Sequence, residues 1–501
     1  MTIVETTYGK VQGADDKGVA VFRGIPFAAP PLGDLRWRAP QPPDAWDGVR
    51  DATVFGPTAP QPVQMTGVAM GDAHAHSEDC LSLNVWTPGA GDSEKRPVMV
   101  WIHGGAFQSG SGSMGLYNGA NLAKRGDVVV VTINYRLGLL GWLASEHLGG
   151  GNWGLLDQIA ALQWVRDNIA AFGGDPDNVT AFGESAGSVS VATLLGTPAA
   201  KGLFHKVIAE SGGPGGFPIR FAEKFVNALV EECGVDDVRD LRDTPLEELV
   251  EAQEKIVERL GRLATPLAPV VDGTTLPVQA LDAIRDGLNH GVPILVGTNR
   301  DEMTYFAMGD RKLTAGDDAV TRRRLAATVG EEGLDDLIET YAKARADQGL
   351  PTDPFSLWVA IESDRMFRIP SLRMAEAHAA TGSPVYEYLF DWESPAAGGF
   401  LRSCHALEIP FVFGNLDQPM MNMFAGEGAE AEALSAAMMD AWIAFARTGN
   451  PSSEALGDWP AYDGERRATM RLGKTVEVVD APMEQERRAW EGRVTGRMSS
   501  A

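Results

Sequence analysis

The stretch Val179-Thr-Ala-Phe-Gly-Glu-Ser-Ala-Gly-Ser188 carries the strongest structural signal in this chain. It centres Ser185 in a Gly-x-Ser-x-Gly motif, after a β-branched and aromatic run and before the small, apolar segment 189–195. A strand that continues directly into a helix needs a tight turn, and glycines two residues before and after the serine leave room for it. The motif therefore predicts a strand, a turn that exposes the Ser185 hydroxyl, and a helix. The alternative is a glycine-rich connection whose serine only caps the helix.

A second glycine-containing loop is expected to supply backbone N–H donors. The stretch Arg96-Pro-Val-Met-Val-Trp-Ile-His-Gly-Gly-Ala-Phe107 contains an apolar strand followed by His-Gly-Gly-Ala. Glycines directly after a buried strand let N–H groups point into a cavity, where they and the N–H of Ala186 would stabilise a tetrahedral oxyanion. A strand followed by His-Gly-Gly is typical of the oxyanion hole in serine hydrolases. An ordinary glycine loop is the alternative, and His103 is expected to brace the loop by hydrogen bonds.

Among the eight histidines, His405 is the best candidate for a general base. It lies in a loop after the strand-like run Val385-Tyr-Glu-Tyr-Leu-Phe390, late enough in the chain to follow both a nucleophile and an acid. The chain order serine, acid, histidine is typical of hydrolases with a Gly-x-Ser-x-Gly turn. His74 and His76 lie in a polar stretch that indicates a solvated loop. A metal site there is the alternative, but this spacing without a clear third ligand is weak support for it.

The acid of such a triad is expected just after the apolar run Val292-Pro-Ile-Leu-Val-Gly297. This run predicts a buried parallel strand, and open α/β sheets place their chemistry at the carboxyl ends of such strands. Asp301 and Glu302 both follow it, and either carboxylate would orient the imidazole and stabilise the imidazolium. Spacing alone does not choose between them.

Taken together, these motifs resemble those of the type-B carboxylesterases, the family of carboxylesterases, cholinesterases and bacterial para-nitrobenzyl esterases. The resemblance runs nearly from end to end. Further matching motifs, in chain order, are Tyr8-Gly-Lys-Val-Gln-Gly13, Phe22-Arg-Gly-Ile-Pro-Phe-Ala28, Ser77-Glu-Asp-Cys-Leu-Ser-Leu-Asn-Val-Trp86, Asn134-Tyr-Arg-Leu-Gly138, Asn152-Trp-Gly-Leu-Leu-Asp-Gln158, Phe172-Gly-Gly-Asp-Pro-Asp-Asn-Val179 and Gly449-Asn-Pro451. The resemblance implies one α/β-hydrolase domain over residues 1–501. Its large, mostly parallel sheet would be flanked by helices, with helical insertions around the active-site gorge.

The same resemblance implies a role for each candidate residue. Ser185 would be the nucleophile, His405 the general base and Glu302, instead of Asp301, the orienting acid. The oxyanion donors would be the N–H groups of Gly105, Ala106 and Ala186. Ala106 stands where the family usually has a third glycine, and a methyl group there should leave the N–H donor intact. No cofactor or metal is implied.

The resemblance also implies two structural ion pairs and, less specifically, the residues of a substrate pocket. The ion pairs are Arg23 with Glu78 and Arg136 with Asp157. The pocket candidates are Phe107, Glu184, Phe217, Phe355 and Trp358, and each of them is equally consistent with ordinary packing. Glu184 neighbours the nucleophile, where it could favour water activation or a cationic alcohol group.

Composition restricts the partners of this 501-residue chain. A net charge of −25 and a pI near 4.7 argue against nucleic acid, whose phosphates would be repelled. No apolar run approaches the roughly 18 residues of a membrane span, and the first residues lack the pattern of a signal peptide. The chain has three cysteines, an odd number, which argues against an extracellular disulfide framework. A catalytic Cys404 beside His405 is the weaker alternative to Ser185 as the nucleophile. We expect a cytoplasmic monomer or weak homo-oligomer whose partner is a small-molecule ester.

The sequence thus predicts a serine carboxylesterase that acts on small to medium uncharged esters through an acyl-enzyme. A carbamate hydrolase or an anilide (amide) hydrolase with the same triad is the main alternative. A non-catalytic adhesion protein, as found among animal relatives, is the remote one, because such proteins lose the serine that this chain retains at position 185.

Overall fold

An eleven-stranded sheet forms the centre of the protein. The computed structural model describes residues 2–62, 75–261 and 266–495. In spatial order the strands of this sheet are Val476–Asp480, Ala468–Leu472, Val385–Phe390, Ile294–Asn299, Lys206–Glu210, Gly174–Glu184, Arg96–Ile102, Val129–Ile133, Ser82–Thr87, Val19–Pro26 and Ala14–Asp16. All neighbours from Ala468–Leu472 to Val129–Ile133 pair in parallel, whereas the pairs at both edges are antiparallel. This arrangement confirms the predicted α/β class and the mostly parallel sheet.

Apolar side chains cover both faces of the sheet, as parallel strands require. The central strand Arg96–Ile102 shows the pattern, because every one of its residues is buried. Val98, Val100 and Ile102 belong to the hydrophobic core on one face. Met99 and Trp101 belong to the core on the other face. Burial on both faces explains why this segment is a continuous apolar run instead of an alternating one.

Helices surround the sheet, and two small sheets lie beside it. The three-stranded sheet is built from Ile3–Thr6, Gly9–Gln12 and Val49–Asp51, and the two-stranded one from Phe217–Pro218 and Val270–Val271. The α-helices are Ala120–Gly126, Gly138–Trp142, Trp153–Asn168, Ala186–Leu195, Arg220–Cys233, Leu246–Leu260, Ala280–Arg285, Met303–Ala307, Arg311–Thr314, Asp318–Val329, Leu334–Asp347, Pro354–Ser363, Ile369–Ala379, Ile409–Phe413, Met421–Ala425, Ala429–Thr448 and Glu484–Arg488. A π-helical turn, Asp364–Arg368, joins two of them into one continuous rod.

One of the two expected ion pairs is present, and the other has exchanged its partner. Arg136 and Asp157 are both buried and bond through two nitrogens of the guanidinium. The expected pair of Arg23 with Glu78 is wrong. Arg23 bonds instead to Asp16 at 2.9 Å, because both residues lie on the antiparallel strands Ala14–Asp16 and Val19–Pro26. The carboxylate of Glu78 is bound by Arg36.

The three cysteines are unpaired, with Cys80 and Cys404 buried and Cys233 half-buried. No disulfide therefore constrains this chain. Within residues 2–62, 75–261 and 266–495, no helix has the length and apolar character needed to cross a bilayer.

Candidate active site

The turn at Ser185 joins the end of the strand Gly174–Glu184 to the helix Ala186–Leu195. Ser185 adopts φ 57° and ψ −118°, a conformation that L-residues rarely hold, and its N–H donates to the Glu210 carbonyl at 2.9 Å. The flanking glycines are required by contact with the neighbouring strand. A Cβ on Gly183 would lie 2.5 Å from the carbonyl oxygen of Ile102, and one on Gly187 only 1.9 Å from it. The motif is thus a steric condition for the turn, and the turn brings the serine to the wall of a cavity.

The loop after the strand Arg96–Ile102 lies beside this turn. Gly105, Ala106 and Phe107 all have positive φ, at 111°, 56° and 66°. The N–H groups of Gly105, Ala106 and Ala186 donate to no other group in the described chain. The carbonyl of Gly105 accepts hydrogen bonds from the N–H groups of Gln108 and Ser109, both at 3.0 Å, and so is turned into the loop. The loop therefore leaves its donors unused next to the serine.

His405 is held by the carboxylate of Glu302 on the Nδ1 side of its ring. Its Nδ1 lies 2.6 Å from Oε2 of Glu302, whose other oxygen accepts the N–H of Asn299 at 2.8 Å. The N–H of His405 also donates to the Glu302 carbonyl at 3.3 Å. The rings of Phe306 and Phe367 lie against the imidazole, with centroids 5.0 and 4.7 Å away. These contacts fix the ring so that Nε2 is the nitrogen left to act in the cavity.

Asp301, the other acid that the sequence allowed, is engaged elsewhere. Its Oδ2 accepts a hydrogen bond from Arg300 at 2.8 Å, and its Oδ1 lies 4.0 Å from Arg402. Its N–H donates to the Ser403 carbonyl. A carboxylate held by two guanidinium groups braces the loop that carries His405 and does not contact the imidazole.

Glu184 lies on the other side of the imidazole. Its Oε1 is 3.0 Å from Nε2 of His405, but the direction of approach gives no hydrogen bond. Its Oε2 fills the space next to Gly104, where a Cβ would come within 2.8 Å of it. Burial raises the pKa of Glu184 well above its ordinary value, and the nearby carboxylates of Glu302 and Glu210 raise it further. The neutral form of Glu184 is thus favoured beside the histidine.

Two more buried carboxyl groups, which sequence reasoning missed, lie near the same edge of the sheet. Glu210 ends the strand Lys206–Glu210 and accepts the indole N–H of Trp442 at 2.7 Å, and burial raises its pKa to about 8. Glu408 accepts a hydrogen bond from the amide of Asn299. Its pKa is also raised well above the ordinary value, first by burial and then by Glu184 and Glu210. A single glutamate leaves no periodic pattern in the sequence. The one feature that could have identified Glu408 is its position three residues after His405.

A cavity of about 1250 Å³ opens onto the serine and the histidine. Its wall includes Ser185, His405 and all three candidate oxyanion donors, together with Phe107, Glu184 and Phe217 from the expected pocket. Phe355 and Trp358 do not line this cavity, which corrects their assignment to the pocket. They lie on the buried helix Pro354–Ser363, and the Phe355 ring stacks on Phe400 at 5.5 Å. Their aromatic character serves packing between helices.

The two weaker chemical alternatives find little support in the geometry. Cys404 is buried, and burial raises the pKa of its thiol, which disfavours the thiolate that a cysteine nucleophile needs. His76 is exposed on a loop, whereas His74 lies outside the described residues. Among the described residues, no group of three or more histidine, cysteine or acidic side chains is arranged to hold a metal ion.

Comparison with known proteins gives one consistent result. A model described as "Carboxylesterase family" matches residues 1–490. The para-nitrobenzyl esterase of Bacillus subtilis (strain 168) is 41% identical over 495 residues, covering 97% of each chain. The phenmedipham hydrolase of Pseudarthrobacter oxydans is 38% identical, covering 94% of this chain and 95% of that protein. A solved carboxylesterase of Geobacillus stearothermophilus is 42% identical, with a TM-score of 0.88, and the match covers 98% of this chain and all of that one.

Proposed function

The chain belongs to the carboxylesterase family and is a carboxylic ester hydrolase, and we propose that it hydrolyses small to medium uncharged esters with Ser185 as nucleophile. The observation that carries this proposal is the convergence on one cavity of a strained serine, a carboxylate-held histidine and three unused N–H groups. The test is turnover of a panel of esters that vary in acyl length and alcohol bulk, measured on the purified protein.

The proposed acylation step uses each of these groups. His405 Nε2 accepts the proton of the Ser185 hydroxyl while the oxygen attacks the ester carbonyl carbon. Glu302 stabilises the imidazolium through its short contact with Nδ1. The oxyanion receives hydrogen bonds from the N–H groups of Gly105, Ala106 and Ala186, and each such donor typically contributes ~2.7–4 kcal/mol of transition-state stabilisation. The imidazolium then protonates the leaving alcohol.

Deacylation repeats the same proton transfers with water as the nucleophile. His405 accepts a proton from the water that attacks the acyl-enzyme carbonyl, and returns it to the Ser185 oxygen as the acid is released. Glu184 Oε1 lies 3.0 Å from Nε2 without holding the ring, so we assign Glu184 to positioning this water.

Replacement of each of the two neighbouring acids, Asp301 and Glu302, by its amide separates their roles. Glu302→Gln should lower kcat on the order of 10⁴-fold, since it removes the carboxylate that orients the imidazole, as the equivalent change does in serine proteases. Asp301→Asn should have a far smaller effect on turnover and should mainly lower the melting temperature, because Arg300 and Arg402 each lose one of their carboxylate contacts. Initial rates and melting curves of both variants provide the measurement. A greater loss of turnover in Asp301→Asn would show that the acid is wrongly assigned.

Esters of tertiary alcohols provide a further prediction. The carbonyl of Gly105 is bonded within its own loop and is therefore not turned over the cavity, and Ala106 lines the cavity with a side chain no larger than a methyl group. A tertiary carbon next to the ester oxygen needs this open space. We expect measurable hydrolysis of tert-butyl acetate, slower than that of ethyl acetate, and a higher ratio of tertiary to primary rates in Ala106→Gly.

Inertness toward several tertiary acetates, in a preparation fully active on ethyl and p-nitrophenyl acetate, would contradict this prediction. So would an unchanged ratio of rates in Ala106→Gly.

A second candidate function is hydrolysis of carbamates or amides by the same residues. The 38% identity to the phenmedipham hydrolase, over nearly the whole chain, supports this second function. Matched p-nitrophenyl esters, carbamates and anilides of equal size distinguish the two, because the leaving group and the cavity contacts stay similar while the bond changes. Higher kcat/KM for the carbamate or anilide would make this the main activity.

We also propose a bacterial, cytoplasmic enzyme that acts as a monomer or weak homo-oligomer. Three unpaired cysteines, two of them buried, fit a reducing compartment.

A further inference from the structure

Two arginines lie on the wall of the catalytic cavity, at the end formed by the last described residues of the chain. Arg373 is on the helix Ile369–Ala379, and Arg493 belongs to the segment 492–495, which also lines the cavity. Apart from His405, they are the only basic side chains on the described part of this wall. The acylation mechanism uses neither of them.

Both guanidinium groups are held by neutral oxygens. Arg373 donates to the Thr495 hydroxyl at 2.7 Å and to the carbonyls of Trp490 and Arg493 at 2.9 and 2.8 Å. Arg493 donates to the carbonyls of Glu332 and Gly333, at 3.3 and 3.0 Å. These bonds fix the positions of the two side chains but bring no negative charge into contact with either guanidinium.

No carboxylate of the described chain pairs with either arginine. The acid nearest to Arg373 along its helix, Glu376, is instead bonded to Arg467 at 3.4 Å. The chain has 68 acidic and 43 basic lysine and arginine side chains, so carboxylates are in excess. Two cavity-lining arginines without a carboxylate in such a chain indicate a site for an anion from outside. A guanidinium has five N–H donors, and Arg373 uses three of them, which leaves its Nε–H and one Nη1–H for a ligand.

The wall of the cavity is continuous from the nucleophile to Arg373. A Cβ on Gly212 would lie 3.1 Å from the Ser185 carbonyl oxygen, and one on Gly213 would lie 2.5 Å from the carbonyl oxygen of Pro370. Arg373 follows Pro370 by three residues, which places the two side chains on the same face of the helix. A ligand that extends from the serine along this wall therefore reaches the guanidinium within about one helical turn of Pro370.

Much of the cavity wall that carries the serine and the arginines is apolar. Its apolar side chains include Val189, Phe217, Leu281, Met366 and Phe367. The last two belong to the π-helical turn Asp364–Arg368, a local widening of the helix that is frequent at functional sites. Such a surface fits a hydrocarbon chain and not a second polar group.

We propose that this cavity also takes esters that carry a carboxylate remote from the scissile bond, separated from it by a hydrocarbon spacer, with Arg373 and Arg493 as the anion subsite. The inference rests on the proposed esterase function and adds a charged substrate class to the uncharged one. Paired N–H donors of arginine bind a carboxylate in a bidentate manner, which gives both affinity and a defined orientation. The buried Glu184 opposes this binding little, because its neutral form is favoured.

The test compares each charged ester with a neutral analogue of the same length. On the acyl side, p-nitrophenyl monoesters of dicarboxylic acids from succinate to sebacate are measured against the corresponding p-nitrophenyl ω-amides. On the alcohol side, ω-acetoxy fatty acids are measured against their primary amides. The quantity of interest is the ratio of kcat/KM for the acid to kcat/KM for the amide. We expect this ratio to exceed one at a particular spacer length in one of the two series, which also identifies the side of the ester that faces the arginines.

Variants connect the ratio to the arginines. Arg373→Gln and Arg493→Gln should each lower the ratio about tenfold or more, the usual effect of losing a hydrogen bond to a charged group. The matched control is Arg466→Gln, an exposed arginine paired with Asp480, which should leave the ratio unchanged. Because Arg373 also holds the segment 490–495, the wild-type ratio is measured at low and high salt as well, where screening should lower it without any mutation.

The outcomes are distinct. A ratio below one at every spacer length in both series, or a ratio equal in the wild type and in both arginine variants, overturns the anion subsite. Absence of turnover with every ester, including the neutral amides, overturns the proposed function itself.

Discussion

Ser185→Ala is expected to lose turnover on the order of 10⁶-fold while the protein stays folded. Removal of the nucleophile of a serine hydrolase has an effect of this size, because the acyl-enzyme no longer forms. The turn does not depend on the hydroxyl, since Ser185 is held by its backbone N–H and by the glycines on either side, and its side chain does not cap the helix. The measurement is the rate with p-nitrophenyl acetate, together with circular dichroism of the purified variant.

A covalent probe and a nearby serine serve as controls for this variant. A sulfonyl fluoride or an organophosphate should label Ser185 stoichiometrically in the wild type, as peptide mass spectrometry would show. Ser188→Ala removes a hydroxyl from the same helix, three residues later, but that hydroxyl donates to the Gly212 carbonyl at 2.8 Å. It should affect the rate far less. Labelling at another residue, or substantial activity in Ser185→Ala, would refute the assignment of the nucleophile.

His405→Ala is the other change expected to reduce kcat on the order of 10⁶-fold. Without the imidazole no group accepts the serine proton, and the carboxylates of Glu302 and Glu184 face a space that water enters. Initial rates of both proteins with p-nitrophenyl acetate give the measurement, and the variant should stay folded while it loses turnover.

The control for the histidine is His76→Ala, since His76 is exposed on its loop. This variant should keep wild-type rates. Strong inactivation of the wild type by a chelator, with recovery on addition of a metal ion, would instead favour the metal site that the spacing of His74 and His76 suggested.

The central parallel strands and the turn at Ser185 were predictable from local patterns. The apolar run from 98 to 102 became the inner part of the strand Arg96–Ile102, and Val385–Phe390 formed as expected. These segments are apolar on both faces, a signal that survives without knowledge of their neighbours. The glycine spacing around Ser185 was equally recognisable in the sequence, although the atom that requires both glycines, the Ile102 carbonyl oxygen, belongs to the neighbouring strand.

Contacts between distant segments were not predictable in this way. Arg23 and Arg36 both lie near the start of the chain, and only the folded positions of their side chains show that Arg23 bonds to Asp16 and Arg36 to Glu78. Phe355 and Trp358 are aromatic, as pocket residues often are, but they lie on a helix that is buried along nearly its whole length and do not line the cavity. The choice between Asp301 and Glu302 likewise depends on where Arg300 and Arg402 lie in space, and spacing along the chain does not contain that information.

The buried carboxyl groups near the active site alter the proton balance of the whole molecule. The formal charge of −25 counts every acid as ionised. Glu210, with a pKa of about 8, keeps its proton at pH 7 in the folded state, and the pKa values of Glu184 and Glu408 are displaced in the same direction.

An unfolded glutamate ionises near pH 4.3. Above that pH, and up to the raised pKa that each has in the folded state, these three carboxyl groups therefore bind more protons in the folded chain than in the unfolded one, so they take up protons on folding. The contribution of these groups to stability is present in full below the unfolded value and is lost as pH rises through the folded one. The native enzyme is thus less anionic than its composition suggests, and alkaline solution opposes its folding.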